Sequence, residues 1–210
     1  MTKLTRRTAL TGGLLAMGGT ALWTASRPAL AQEQPPRPTI DEVMFDPANP
    51  VLGNPEGDVT IVEFFDYQCP YCKANHPVLN EVVEADGKVR LVMKDWPIFG
   101  APSVRAAQLA LGAASLGSYL TANDALMATE GRLDDALIEE TLAEAGLDVA
   151  ALDAAYGENR DKWDGLLTRN GVQAAAFQLR GTPAFIIGTV IYPGAMDKAG
   201  LENAIATARA

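Results

Sequence analysis

Two cysteines, Cys69 and Cys72, are the only ones in the chain, and they stand two residues apart in "FDYQCPYCKANHP" (Phe65 to Pro77). A pair at that spacing can exchange electrons, form half of a metal site, or close a structural disulfide. A zinc site would need four ligands. His76 and Asp66 could complete a set with the two cysteines, but one Cys pair with one His and one Asp is an unusual combination. A purely structural disulfide across two residues closes a very small loop and removes little entropy from the unfolded chain. A redox couple is the reading the spacing favours.

The elements around the pair say how it would be held. "VTIVEFF" (Val59–Phe65) is β-branched and aromatic and predicts a buried strand. Asp66 to Pro70 turn out of it, and Pro70 suits the first turn of a helix that ends at Gly87. Pro77 falls inside that helix. Cys69 therefore sits at a helix N-terminus, where unpaired N–H groups and the positive end of the dipole favour a thiolate. It is the expected attacking sulfur. Cys72, one turn on and on the same face, is the expected buried resolving thiol. Exchange between them and a partner passes through a mixed disulfide.

"KVRLVMKDWPI" (88–98) predicts a second strand, parallel to the first because a helix connects them. Residues 103–180 change to an Ala- and Leu-rich helical pattern. Gly131, Gly146, Gly157 and Gly171 divide it into about four helices. Two short apolar runs, "PAFIIG" and "TVIYPG", predict a hairpin, and "DKAGLENAIATARA" a closing helix. The order is β-α-β, helical insert, β-β-α, an α/β domain with a mixed sheet. Its two parts are residues 59–102 and 181–210, with the insert between them.

Residues 1–31 read as an export signal. Lys3, Arg6 and Arg7 open it, a mostly apolar stretch follows, and Ala29-Leu30-Ala31 forms a cleavage site. The adjacent Arg6 and Arg7 suggest a twin-arginine type. The run is too interrupted by polar residues for a membrane span of about 20 residues. Residues 32–58 hold six prolines and read as an extended leader with a short ordered piece near Thr39–Phe45. The signal carries four of the 17 basic residues and no acidic one, which leaves 13 basic against 26 acidic. A surface that acidic repels phosphate backbones and anionic lipid, so nucleic acid and membrane-surface binding are set aside. Export to the periplasm would place the cysteines where disulfides persist.

Together, "VEFFDYQCPYCK", the βαβ start, the helical insert and the later "GTPAFIIG" resemble the DsbA-like thiol-disulfide oxidoreductases of the thioredoxin superfamily. The resemblance spans roughly residues 50–210. It implies a thioredoxin fold with an inserted helical subdomain. It also implies a cis peptide at Thr182-Pro183 beside the cysteines, where the residues alone predict the usual trans bond. Thr182 and Pro183 would then offer backbone groups to an extended substrate. Glu63, six residues before Cys69, matches the family's buried acid, associated with proton transfer to and from the resolving cysteine. Its bland alternative is a structural ion pair, with Lys94 as the candidate partner. His76 reads more simply as a packed or solvent-facing residue than as a redox-tuning one. Pro70 and Tyr71 should tune the redox pair through geometry and access.

The expected function is a periplasmic dithiol oxidase acting on newly exported, unfolded proteins and recycled by a membrane redox partner. The disulfide itself carries the two electrons, so no metal or organic cofactor is implied. Thr182 before the proline favours a rival reading, a disulfide isomerase or reductase kept reduced by a membrane partner. A non-catalytic binding or chaperone module with the same fold is the alternative from another class.

Overall fold

The computed structural model describes residues 38–210; the expected export signal lies outside them. Five strands form one mixed sheet in the order β1-β3-β2-β4-β5. β2 (Val59–Phe65) and β3 (Val89–Asp95) are parallel and joined by α2 (Pro70–Asp86). β4 (Ala184–Ile187) runs antiparallel to β2, and β5 (Val190–Pro193) antiparallel to β4. α8 (Lys198–Ala208) closes the chain.

The central strand β2 is buried on both faces, which explains its near-continuous apolar run. Ile61 and Phe65 face the larger core, built with Leu79, Val82 and Val83 of α2, Leu201 and Ile205 of α8, and the helical insert. Val62 and Phe64 face a smaller core with Val43, Met44 and Ala174. Residues on β2 thus alternate between two interiors, and the parity of a residue decides which one its side chain enters.

The stretch expected as an extended leader contributes to this fold from residue 38. Thr39 caps a short helix, α1 (Ile40–Met44), in a reciprocal capping box with Glu42. Val51–Gly53 forms β1, paired antiparallel to β3. Arg90 Nη1 donates to the Met44 carbonyl at 2.6 Å and ties the leader to the sheet.

The insert contains five helices, not four: α3 (Ala101–Ser115), α4 (Tyr119–Met127), α5 (Asp135–Glu144), α6 (Val149–Glu158) and α7 (Arg160–Ala176). Gly157 and Gly171 lie within α6 and α7 rather than between helices. The missed boundary is Gly117, which takes φ +75° after α3. One glycine is required for packing: a Cβ on Gly112 of α3 would overlap the Leu152 carbonyl of α6. We expect Gly112→Ala to destabilise the protein by about 1–3 kcal/mol, read as a lower urea midpoint at unchanged slope.

Candidate active site

The turn between β2 and α2 is organised by Asp66. Its Oδ1 accepts from Gln68 N at 2.7 Å, and its Oδ2 from Ile98 N at 2.6 Å and Phe99 N at 3.1 Å. Its carbonyl accepts from Cys69 N at 3.0 Å. One buried carboxylate thus holds the cysteine turn and the chain leaving β3 together. Cys69 is the N-cap of α2 with extended φ and ψ, and Pro70 occupies the first helical position. Both cysteines are free thiols and both are buried, Cys69 at 1% exposure and Cys72 at 0%.

Their environments drive the two thiols apart. Cys69 is held down at about 6. The largest cause is the hydrogen bond to Cys72, and the backbone N–H groups of Cys72 and Tyr71 at the helix start add to it against the cost of burial. Burial pushes Cys72 far above the ordinary thiol range, and its hydrogen bond to Cys69 and the charge of Glu63 push the same way. One sulfur is a thiolate near neutral pH while the other keeps its proton.

The peptide bond Thr182-Pro183 is cis, as the resemblance implied. The Thr182 carbonyl accepts from Cys69 Sγ at 3.2 Å, across 113 residues of sequence. "GTPAF" therefore abuts the cysteine turn. Two grooves are lined by residues next to these two segments. One, of about 640 Å³, runs along Arg180, Thr182, Pro183 and Ile191; the other, of about 670 Å³, along Gln68, Pro70, Phe99 and Arg132. Tyr71 is 68% exposed, so the two residues between the cysteines face outward. Of the aromatics near the motif, Phe64, Phe65 and Tyr67 are core, while Phe99 is exposed.

Glu63 is buried on the α2 side of β2, in register with Met93 and Phe185. Its Oε2 has no hydrogen-bond partner. Burial raises it to about 8, with the charges of Cys69 and Asp95 acting in the same direction. Lys94 is not its partner. Lys94 registers with Phe64 and so enters the opposite core. There, with the Asn49 amide oriented to satisfy its neighbours, the Asn49 oxygen accepts from Lys94 Nζ at 2.8 Å. The alternative of a Glu63–Lys94 ion pair fails because strand parity separates the two side chains.

His76 turns away from the thiols as well. Its Nε2 lies 2.8 Å from Asp124 Oδ1 of α4 and 3.0 Å from Asn80 Nδ2, so it joins α2 to the insert. Among the described residues no group of three or more His, Cys, Asp and Glu side chains is arranged to hold a metal ion. Asp95 was not anticipated. It ends β3 buried on the same face as Glu63, and burial raises it to about 7. The signal for it was available: an acid in "LVMKDW" at a position sharing Glu63's face.

Residues 46–207 match a family model described as Thioredoxin. This chain belongs to the thioredoxin family. Within it, the chain is a DsbA-like thiol-disulfide oxidoreductase. It is 37% identical to a thioredoxin-like oxidoreductase from Silicibacter pomeroyi DSS-3, with a TM-score of 0.78 over 82% of this chain and 98% of that one. It is 28% identical to the thiol-disulfide exchange protein alpha-DsbA2 from Wolbachia pipientis, TM-score 0.75, over 80% and 90% of the two chains. A periplasmic thioredoxin-like protein from Salmonella enterica serovar Typhimurium is 30% identical, TM-score 0.70, over 80% and 94%. Among curated proteins the chain is 26% identical over 182 residues to the Na(+)/H(+) antiporter NhaA 1 of Mycobacterium sp. strain KMS. That match covers 83% of this chain but 30% of the antiporter. No described helix is long and apolar enough to cross a membrane.

Two titrations follow from the geometry. Thiolate absorbance of the reduced protein should appear around pH 6 and be lost in Cys69→Ser. Because this pKa is depressed by folding, the dithiol form gains stability as pH rises from about 6 toward 9 and loses it on acidification. Glu63 behaves oppositely. Between 4.5 and about 8 it keeps a proton that the unfolded chain releases, so stability falls as pH rises through that window. We expect Glu63→Gln to exceed the wild type in stability above pH 8, on the order of a few kcal/mol, and to match it below pH 4.5. Urea unfolding across pH measures both.

Proposed function

We propose that this chain is an exported dithiol oxidase that introduces disulfides into newly secreted proteins through Cys69 and Cys72. The observation that carries the reading is the asymmetry of the two thiols. At pH 7 a thiol held at about 6 is roughly nine-tenths thiolate. That stabilises the reduced protein and makes the disulfide form the stronger oxidant.

In the forward reaction a client thiolate attacks Sγ of Cys69 in the Cys69–Cys72 disulfide. The S–S bond breaks, Cys72 leaves with the electron pair, and a proton from Glu63 neutralises it. Client and Cys69 are now joined in a mixed disulfide. A second client thiolate attacks the client sulfur, and Cys69 departs as its stabilised thiolate. The client gains a disulfide, and its two electrons rest on the Cys69–Cys72 dithiol until the disulfide of a membrane partner removes them.

In the dithiol form the Thr182 carbonyl accepts from the Cys69 thiol. In the disulfide form Cys69 has no proton to donate, which leaves that carbonyl free to pair with an extended client backbone, as in strand addition. Tyr71, Ile98 and Phe99, all exposed, supply apolar surface for unfolded chain. Pro70 and Tyr71 tune the pair by fixing the helix start from which the N–H groups reach Sγ. Residues 1–31 support export, and likeness to a periplasmic relative supports a periplasmic location.

The oxidised protein should consume the free thiols of a reduced, unfolded client. Cys69→Ser should abolish this, and Cys72→Ser should accumulate a mixed disulfide on Cys69. In cells, alkylation trapping should find the pair mostly as disulfide. A pair found mostly as dithiol would overturn the oxidase reading in favour of the isomerase or reductase. Exchange unaffected by Cys69→Ser would leave only the binding-module reading.

A further inference from the structure

Asp95 carries a buried carboxyl that exchange between Cys69 and Cys72 does not by itself require. Its surroundings are polar on one side and ionisable on the other. Tyr119 Oη of α4 donates to Asp95 Oδ2 at 3.0 Å, while Asp95 Oδ1 has no partner. Asn123 Nδ2, also of α4, donates to Tyr67 Oη at 3.1 Å. Asp95, Tyr119, Tyr67 and Asn123 are all buried and form one cluster between the end of β3, the cysteine turn and the insert.

Among the described residues no cation bonds to Asp95 or Glu63. The groups facing the cluster are Glu63 from β2, Asp66, Tyr67 and Cys69 from the turn, Cys72 and Lys73 from α2, and Tyr119 from α4. Lys73 lies in the field of Asp66 and Cys69, and its Nζ donates to Thr129 Oγ1 at 2.8 Å. Lys94 is on the other sheet face, and His76 is engaged by Asp124. Arg105, the one ionisable residue of α3, is paired with Asp153 and Glu139. The ionisable residues of α7 are exposed, and Asn170 of that helix donates to the Asp95 carbonyl rather than the carboxyl. Glu63 and Asp95 are buried on one face of the sheet on neighbouring strands, and the charge of Asp95 opposes the ionisation of Glu63.

We propose that Asp95 is a positioning residue for the redox chemistry: its charge determines when Glu63 holds the proton exchanged with Cys72, and Tyr119 sets that charge from the helical insert. The proposal rests on the oxidoreductase reading above. The Tyr119 hydroxyl favours the Asp95 anion, and the Asp95 anion keeps the proton on Glu63. When the Cys69–Cys72 bond breaks, that proton moves to the Cys72 sulfur, and Glu63 is reloaded from solvent. Weakening Glu63 as an acid brings it closer to the very weakly acidic thiol it serves, which is the matching that proton transfer favours.

Side-chain carboxyl ¹³C NMR titration of the reduced protein, with the pH–rate profile of client-thiolate attack on the Cys69–Cys72 disulfide, tests this. In Asp95→Asn the Glu63 step should fall by about one pH unit, and the inflection in the rate profile should fall with it. Tyr119→Phe, which keeps both carboxyls, should raise the lower of the two carboxyl steps. A folded Asp95→Asn with an unmoved Glu63 step and rate profile would overturn the proposal. If Asp95→Asn does not fold, Tyr119→Phe decides: an unmoved lower step is the overturning result. A wild-type protein without exchange activity would defeat the oxidoreductase reading instead, and the NMR titration would still report whether the carboxyls are coupled.

Discussion

The site depends on where the turn after β2 places two sulfurs one helical turn apart: Cys69 at the start of α2 among donors, Cys72 in the interior where burial dominates. Asp66 fixes the turn that delivers Cys69 as the N-cap, with Pro70 setting the first helical residue. Burial then does opposite work on the two thiols. At Cys69 it is outweighed by the donors converging on Sγ; at Cys72 nothing outweighs it.

The second constraint is that β2 lies between two cores. A polar residue on a strand buried on both faces must find its partner within the core that its parity selects. Lys94 finds an amide oxygen on one side. On the other, the charge of Asp95 opposes that of Glu63, and Tyr119 donates to Asp95. An uncompensated acid costs stability, and the orphaned Oε2 of Glu63 records that cost. Such strain at a polar group beside a reactive pair is where local stability and function pull in different directions.

Much of this was legible in the residues. The alternation of β-branched and turn residues located β2, α2 and β3, and Gly87 ends α2 in the left-handed conformation expected of a stop. What was not legible has physical reasons. β1 is three residues long, too short for a period of two to register, and depends on pairing with β3. Gly157 and Gly171 were misleading because a glycine inside a helix costs only about 1 kcal/mol, which packing readily offsets. The Lys94 pairing failed for want of a register, since Glu63 and Lys94 stand one residue out of step across the parallel pair. The cis bond at Pro183 required the resemblance, because the residues alone favour trans.

The helical insert is more than a cover for the thiols. α4 alone makes three side-chain contacts around the site: Asp124 to His76, Tyr119 to Asp95 and Asn123 to Tyr67. The insert also frames the outer surface, since Arg132 follows α4 and lines the groove beside Pro70 and Phe99. The insert therefore touches a buried acid behind the cysteines through α4 and borders the groove beside Pro70 through the segment that follows that helix.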